Sequence, residues 1–506
     1  MSHSLALESR FYRLDDLRPL LAPDSRLSIS PEVAAQITKG ADFVAKLAYE
    51  SRYVYGVNTG FGALCETRVT PEEMPALQLN HVLSHACGVG ELVPESIARL
   101  TVFIKLLTFR TGHTGISLPT VERLVEFWNA GLIPTTPKRG TVGASGDLAP
   151  LAHLALPLLG LGSFYRDGAT VPAAVALAEK GWGPITLAPK EGLALTNGVQ
   201  YINAHATHAL MRITDLVRAA DVVAAISAQA FSAAETFFHE LYHQTSFHQE
   251  RRDVASNLRK LLAESNHYTL PTCNKSKQDP YSFRCLPQVH GAVRQAVRFA
   301  TEVMENEING VSDNPLFFAD EGEVLFGGNL HGQSTAFSLD FLAMAMAELS
   351  SISERRTYQL LSGRRGLPDF LVGEPGRNSG LMIAQYTSAA LVNENKVLSN
   401  PASVDTIPTC QLQEDSVSMG GTSAYKLMQV MDNLEYALGI ELMTAAQAVP
   451  FVPSLRLSPS TQAVVDAFRE QVAFLEEDRV LAGDIEKART FVVHHAPSWR
   501  RSFELA

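Results

Sequence analysis

The tripeptide Ala144-Ser145-Gly146 can turn itself into a reactive group using only its own atoms. If the backbone nitrogen of Gly146 attacks the carbonyl carbon of Ala144, a five-membered imidazolone closes. Loss of water from Ser145 then leaves an exocyclic methylene, which is an electrophile. Each residue type suits that chemistry: Ala144 is small, Ser145 carries the hydroxyl to be eliminated, and Gly146 lets backbone approach backbone with no Cβ in the way. The same residues also read as an ordinary glycine-rich turn entering a helix, with Asp147 as its N-cap. On the tripeptide alone both readings stand.

A second set of residues points to different chemistry. His239-Glu240-Leu241-Tyr242-His243 fits H-E-x-x-H, in which two histidines one helical turn apart bind zinc and the glutamate acts as base, and Glu264 downstream is a conceivable third ligand. Nothing else in the chain supports peptide hydrolysis, and a pattern this short arises by chance in a chain with 15 histidines. A zinc peptidase is therefore the remote alternative.

The elements that must position such groups follow from composition and pattern. With 506 residues, 46% apolar and 19% charged, the chain has ample core and is neither disordered nor collagenous. Lys and Arg number 42 against 53 Asp and Glu, a net charge of −11, which argues against nucleic-acid binding. The five cysteines form no Cys-x-x-Cys pair and are odd in number, which fits a reducing cytoplasm better than a disulfide framework. No signal peptide pattern is visible, and the apolar stretch Leu148 to Leu161, broken by Pro150, Pro157 and Gly160, reads as buried helix rather than a membrane span.

From Ser30 to Asn197 short helical runs, such as Pro71 to Ser84 and Pro94 to Phe109, alternate with loops rich in glycine and proline. After Gly198 the texture changes. Val199 to Leu270 contains no Gly or Pro and has apolar residues at three- and four-residue steps, and similar runs occupy Ala292 to Asn309, Ser334 to Ser362, Leu381 to Asn400 and, but for Gly439, Thr422 to Val449. Such lengths predict helices packed side by side in a bundle. The expected organisation is a mixed domain over 1–198 and a long-helix bundle over 199–506. Asp340 to Ala347 is apolar nearly all round, which suits either a deep monomer core or the middle of an oligomer.

The run from Gly140 to Gly162, GTVGASGDLAPLAHLALPLLGLG, resembles the signature of the histidine and phenylalanine ammonia-lyase family, whose Ala-Ser-Gly cyclises to methylidene-imidazolone (MIO). Four further stretches match in the same order: Val54 to Gly62, Leu193 to Gly198, Gln278 to Cys285, and Gln413-Glu414-Asp415. The similarity extends from about Tyr55 to Leu481. It implies a mainly α fold of the ammonia-lyase/fumarase type, a homotetramer whose active sites draw on three chains, an MIO built from Ala144, Ser145 and Gly146, and no required metal.

By the same resemblance, Tyr281 removes the β-proton, Arg284 binds the substrate carboxylate and Gln278 hydrogen-bonds in the pocket. Tyr55 handles the amino group, Asn197 binds the carboxylate or orients the ring, and Asn314 lies near the MIO. Ser84-His85 looks like the histidine-specific form, and the Glu414 carboxylate suits an imidazole N–H, so the expected reaction is deamination of L-histidine to urocanate and ammonia. Three departures leave a tyrosine or other aromatic lyase, or an aminomutase, as alternatives: Leu330 stands where the family usually has Phe, Ser416 where a His is usual, and His243 to His248 lacks Arg-Pro-His. Leu330 is expected to widen the pocket.

Overall fold

Most stretches that lack helix breakers are helix, and the runs Ser334 to Ser362 and Leu381 to Asn400 appear nearly residue for residue. The computed structural model describes residues 4–273 and 278–506. Among them are eighteen α-helical segments. Those that matter below are α1 (Met74–His85), α2 (Glu95–Phe109), α3 (Leu148–Ala155), α4 (Glu191–Thr196), α5 (Gln200–Ala230), α6 (Leu286–Asn309), α7 (Gln333–Leu360), α8 (Met382–Leu398) and α9 (Gly420–Ala448). The breaker-free run after Val199 is not one rod. It ends as α5 at Ala230 and resumes in the shorter helices Glu240–Gln244 and Gln249–Leu262.

The contact pattern divides the chain into two units, and the division is not the one expected at Gly198. Unit 1 comprises Met1–Met211, Ala300–Asp340 and Pro401–Tyr425; unit 2 comprises Arg212–Phe299, Phe341–Asn400 and Lys426–Ala506. The boundary falls inside α5 because glycine and proline mark where loops stop, not where one core gives way to another. Two later segments return to unit 1, and both carry parts of the site described below.

Unit 1 holds every strand among the described residues, in four small sheets. Ser4–Leu7 pairs in parallel with Arg26–Ile29, and the hairpin Leu316–Phe318 with Glu323–Leu325 comes from a returning segment. Helix α2 is buried along nearly its whole length, from Ile97 to Phe109, and takes Arg99 and Lys105 inside with it.

Unit 2 consists of helices and their connecting loops, with no strand among its described residues. Its interior charges are paired, as burial demands. Arg356 meets Glu441 through two parallel bonds of 2.6 and 2.8 Å, and Asp221 receives His290, Arg294 and Asn257. In the apolar run of α7, Leu342, Ala343 and Met346 are buried, whereas Phe341 and Met344 stay about 40% exposed in the single chain. By length and composition α7 would pass for a membrane helix, yet 61% of its most apolar window is buried inside the protein. It is a bundle helix.

Candidate active site

The Ala144-Ser145-Gly146 turn is held in a conformation that side chains rarely adopt. Ser145 has φ +51°, Gly143 +89° and Gly146 +83°, the left-handed region in which a non-glycine residue is strained. A Cβ on Gly146 would run into the carbonyl of Gly198, and one on Gly143 into the Ser418 hydroxyl. Three backbone bonds brace the turn from outside: Gly198 N–H to the Ser145 carbonyl (3.1 Å), Asp147 N–H to the Gly198 carbonyl (2.7 Å), and Met419 N–H to the Val142 carbonyl (3.0 Å). Thr141 Oγ1 donates to the Gly146 carbonyl at 3.1 Å. The backbone of Gly146 thus runs against that of Gly198 at a distance no side chain would allow.

Asp147 stands at the N-cap position of α3, but its carboxylate does not cap the helix. It is buried and instead accepts from Ile202 N–H (3.0 Å) and Thr141 Oγ1 (3.3 Å), which ties the turn to the start of α5. Burial pushes its carboxyl up to about 7.

Beside the turn lies a pocket of about 480 Å³, lined by unit 1 residues: the Tyr55 to Leu64 loop, the end of α1, Ser145, Asn197, Cys410 and Glu414. Tyr55 Oη accepts from Gly62 N–H (3.0 Å), and burial, with the nearby Glu414 charge adding, pushes its phenol up. Glu414 accepts from Ser145 Oγ (3.3 Å) and from Thr409 Oγ1 (2.8 Å). His85 Nδ1 lies 2.7 Å from the His81 carbonyl, so Nδ1 carries the hydrogen and, in the neutral ring, Nε2 is a bare acceptor. Burial pulls the His85 imidazole down, partly offset by that carbonyl and by Glu414.

Two further features were not singled out from the sequence. His81, four residues before His85 on the same helix face, is sandwiched between Phe61 (centroids 4.1 Å apart) and His85 (3.9 Å). Its Nε2 lies 2.8 Å from Thr196 Oγ1, which itself donates to the Gly192 carbonyl, so His81 is held as the Nε2–H tautomer. Burial and the neighbouring His85 pull it down to about 2. The i, i+4 spacing of the two histidines was the available signal. Cys410, read only as one of five scattered thiols, lies in the pocket wall, where it accepts from Ala63 N–H at 3.4 Å. Nothing in its sequence neighbourhood marks that position.

Of the expected site residues, Tyr55, His85, Ser145, Asn197 and Glu414 converge on this pocket. The Asn197 amide gives its hydrogens to Asp313 Oδ1 (3.0 Å) and the Asn314 carbonyl (2.8 Å), leaving Oδ1 buried without a partner. Asn314 thus acts through its backbone, while its side chain accepts from Gly327 N–H (2.9 Å). Leu330, half-buried in the turn before α7, and the exposed Ser416 are not among the residues that line this pocket in the single chain. Gln278, Tyr281 and Arg284 belong to unit 2 and form a cluster of their own. There Arg284 bonds the Gln278 side chain and lies 4.5 Å over the Tyr281 ring, which is 68% exposed.

The zinc-peptidase reading fails on geometry. His239 lies outside the helix, in extended backbone, and its Nδ1 caps Leu241 N–H, while His243 Nε2 is bonded to the Phe237 carbonyl at 2.8 Å. His239 is therefore not on the helix that carries His243, and among the described residues no group of three or more His, Cys, Asp or Glu side chains could hold a metal ion.

The chain as a whole is similar to known proteins. Residues 12–470 match the family model described as aromatic amino acid lyase. The chain is 46% identical over 472 residues to histidine ammonia-lyase of Symbiobacterium thermophilum, covering 93% of each. Among solved structures it resembles histidine ammonia-lyase from Trypanosoma cruzi (TM-score 0.90, 38% identity, 99% of this chain and 95% of that one). It also resembles tyrosine aminomutase from Streptomyces globisporus (TM-score 0.93, 32% identity, 99% of each). The protein belongs to the aromatic amino acid lyase family and is a carbon–nitrogen lyase.

Proposed function

We propose that this enzyme is a histidine ammonia-lyase that converts L-histidine to trans-urocanate and ammonia. The observation that carries the reading is the pairing, in one pocket with Ser145, of the bare His85 Nε2 with the Glu414 carboxylate. Both accept hydrogen bonds, and an imidazolium ring offers two N–H donors to meet them. A bare phenyl ring offers none, and a site built to receive donors rejects it.

The Ala144 to Gly146 turn suits an MIO, because Gly146 and the preceding Gly143 sit where a Cβ would collide with Gly198 and Ser418 respectively. Matured, that group supplies an electrophile for the substrate amine, the covalent-catalysis logic with the protein as electrophile. The chain's own residues do the rest. With both amide hydrogens committed to Asp313 and Asn314, Asn197 has no donor left for the substrate carboxylate, which favours its other role, orienting the ring of the Ala144 to Gly146 turn. Tyr55, in the same pocket as Ser145, handles the amino group. Arg284 is assigned to the carboxylate as a bidentate donor, Gln278 orients it, and Tyr281 takes the β-proton.

The last three act in a homotetramer, where a second copy supplies them. The exposed Tyr281 and the uncovered Phe341 and Met344 support assembly of that kind. Five free cysteines suit a reducing cytoplasm.

A second reading, action on tyrosine, also has an observation in its favour, since the bare His85 Nε2 would accept a phenol O–H as readily as an imidazole N–H. Incubation with L-histidine, L-tyrosine and L-phenylalanine, with products identified by mass, separates the two. Urocanate as the main product supports the proposal. A preference for tyrosine, or β-amino acid products, overturns it in favour of the second reading or of an aminomutase.

A further inference from the structure

Lys105 is a buried cation that none of these roles uses. Its side chain leaves α2 inside unit 1, and its ammonium donates to the backbone carbonyl of Asn197 and, at 3.4 Å, to Oε1 of Gln200. Both acceptors are neutral, and Asp313 and Asp147 act on the ammonium only through space. Burial pulls the group down to about 7. An ammonium placed against neutral oxygens in a protein interior is costly, and an alkyl side chain would fill the same space without that cost.

The charge bears on a single peptide unit. Lys105 holds the carbonyl of the Asn197–Gly198 peptide, and the N–H of the same peptide donates to the Ser145 carbonyl at 3.1 Å. The next carbonyl, of Gly198, accepts from Asp147 N–H at 2.7 Å, so Gly198 runs as a short parallel bridge along Gly146. Gly198 has φ +106°, and a Cβ there would strike the Ser312 carbonyl, so its path is fixed. Hydrogen bonds in series polarise one another, and an ammonium on the carbonyl makes the N–H of the same peptide a better donor.

We propose that Lys105 is a positioning residue for maturation of the Ala144-Ser145-Gly146 turn, acting through the Asn197–Gly198 peptide to hold and polarise the Ser145 carbonyl. The inference rests on the MIO reading above. In ring closure the Gly146 nitrogen bonds to the Ala144 carbonyl carbon, whose oxygen takes the hydrogens of the Gly146 and Ser145 nitrogens and leaves as the first water while the Ser145 nitrogen becomes doubly bonded to that carbon. In dehydration the Ser145 Cα–H bond breaks and its electron pair passes onto the Ser145 carbonyl oxygen, the atom that the Gly198 N–H contacts. The pair returns to form Cα=Cβ as Oγ departs, and the proton and hydroxide leave as the second water. No oxidant or reductant is needed.

The test is the intact mass of the full-length wild type, Lys105→Met and Lys105→Gln, sampled through a pulse of synthesis, with circular dichroism and oligomeric state measured alongside. The wild type is expected to lose two waters. Lys105→Met should lose them at least about tenfold more slowly, the scale of one charge-assisted hydrogen bond, and Lys105→Gln, which restores a neutral donor, should fall between. A Lys105→Met chain that folds and matures at the wild-type rate overturns the inference. So do two variants that both fail to fold, since the lysine is then structural. A wild type that keeps both waters brings down the MIO reading itself, and this inference with it.

Discussion

The carboxylate of Glu414 accepts a hydrogen bond from the hydroxyl of Ser145, Oε1 to Oγ 3.3 Å, across 269 residues of chain. The residue assigned to reading the substrate ring is thus in direct contact with the residue assigned to making the electrophile. Placement of ring and amine is then a single geometric problem.

Replacing Glu414 by Gln keeps its shape but removes the charge and one acceptor. The expected fall in kcat/KM for L-histidine is roughly 10- to 100-fold, since a hydrogen bond to a charged group is worth about 1.5–3 kcal/mol. L-phenylalanine should be a very poor substrate for wild type and variant alike. Unchanged histidine turnover in Glu414→Gln would remove the carboxylate from ring recognition.

Gly146→Ala tests the turn itself. Its φ of +83° and the Gly198 carbonyl behind it leave no place for a methyl group. The intact mass of this variant should be that encoded by its gene, while the wild type should be lighter by two waters. Full water loss in Gly146→Ala would mean that the close backbone approach is not what closes the ring.

Tyr281→Phe should leave the two-water loss intact and lower kcat by roughly 10²- to 10⁴-fold, the usual cost of removing a general base. Because Tyr281 and Ser145 are proposed to meet between copies, co-expressing Tyr281→Phe with Ser145→Ala should restore part of the activity. Mixed assemblies with no activity above either parent would argue against a shared site.

His81 makes a prediction about acid stability. Its folded value of about 2 lies far below the ordinary 6.5, so below pH 6.5 the unfolded chain binds a proton here that the folded chain refuses. Stability therefore falls as pH drops. Between pH 6.5 and 5 the wild type should lose about 1.5 kcal/mol more than His81→Leu in urea unfolding. Parallel curves for the two proteins would refute the buried neutral ring.

The long helices were legible because nothing in Ser334 to Ser362 or Leu381 to Asn400 interrupts them, and α7 and α8 follow those limits within two residues. The reactive turn was legible because Ala, Ser and Gly each answer a chemical need. The unit boundary was not, because the return of 300–340 and 401–425 to unit 1 depends on contacts far apart in sequence. Asp147 looked like a cap since its position was right, but the burial that diverts its carboxylate to Ile202 is tertiary. The H-E-x-x-H pattern misled for a local reason: the helix begins at Glu240, one residue too late to include His239. Leu330 and Ser416 were read as pocket residues by resemblance, and sequence position alone could not reveal that neither lines this chain's cavity.

The braces on the turn arrive late in synthesis. Gly198 supplies the first N–H to reach it, and Met419 the last. A chain synthesised only as far as residue 418 therefore lacks one of the three backbone bonds on the Ala144 to Gly146 turn. On the proposed MIO reading, an electrophile that needs all three braces forms only in a nearly complete chain, with its pocket already around it.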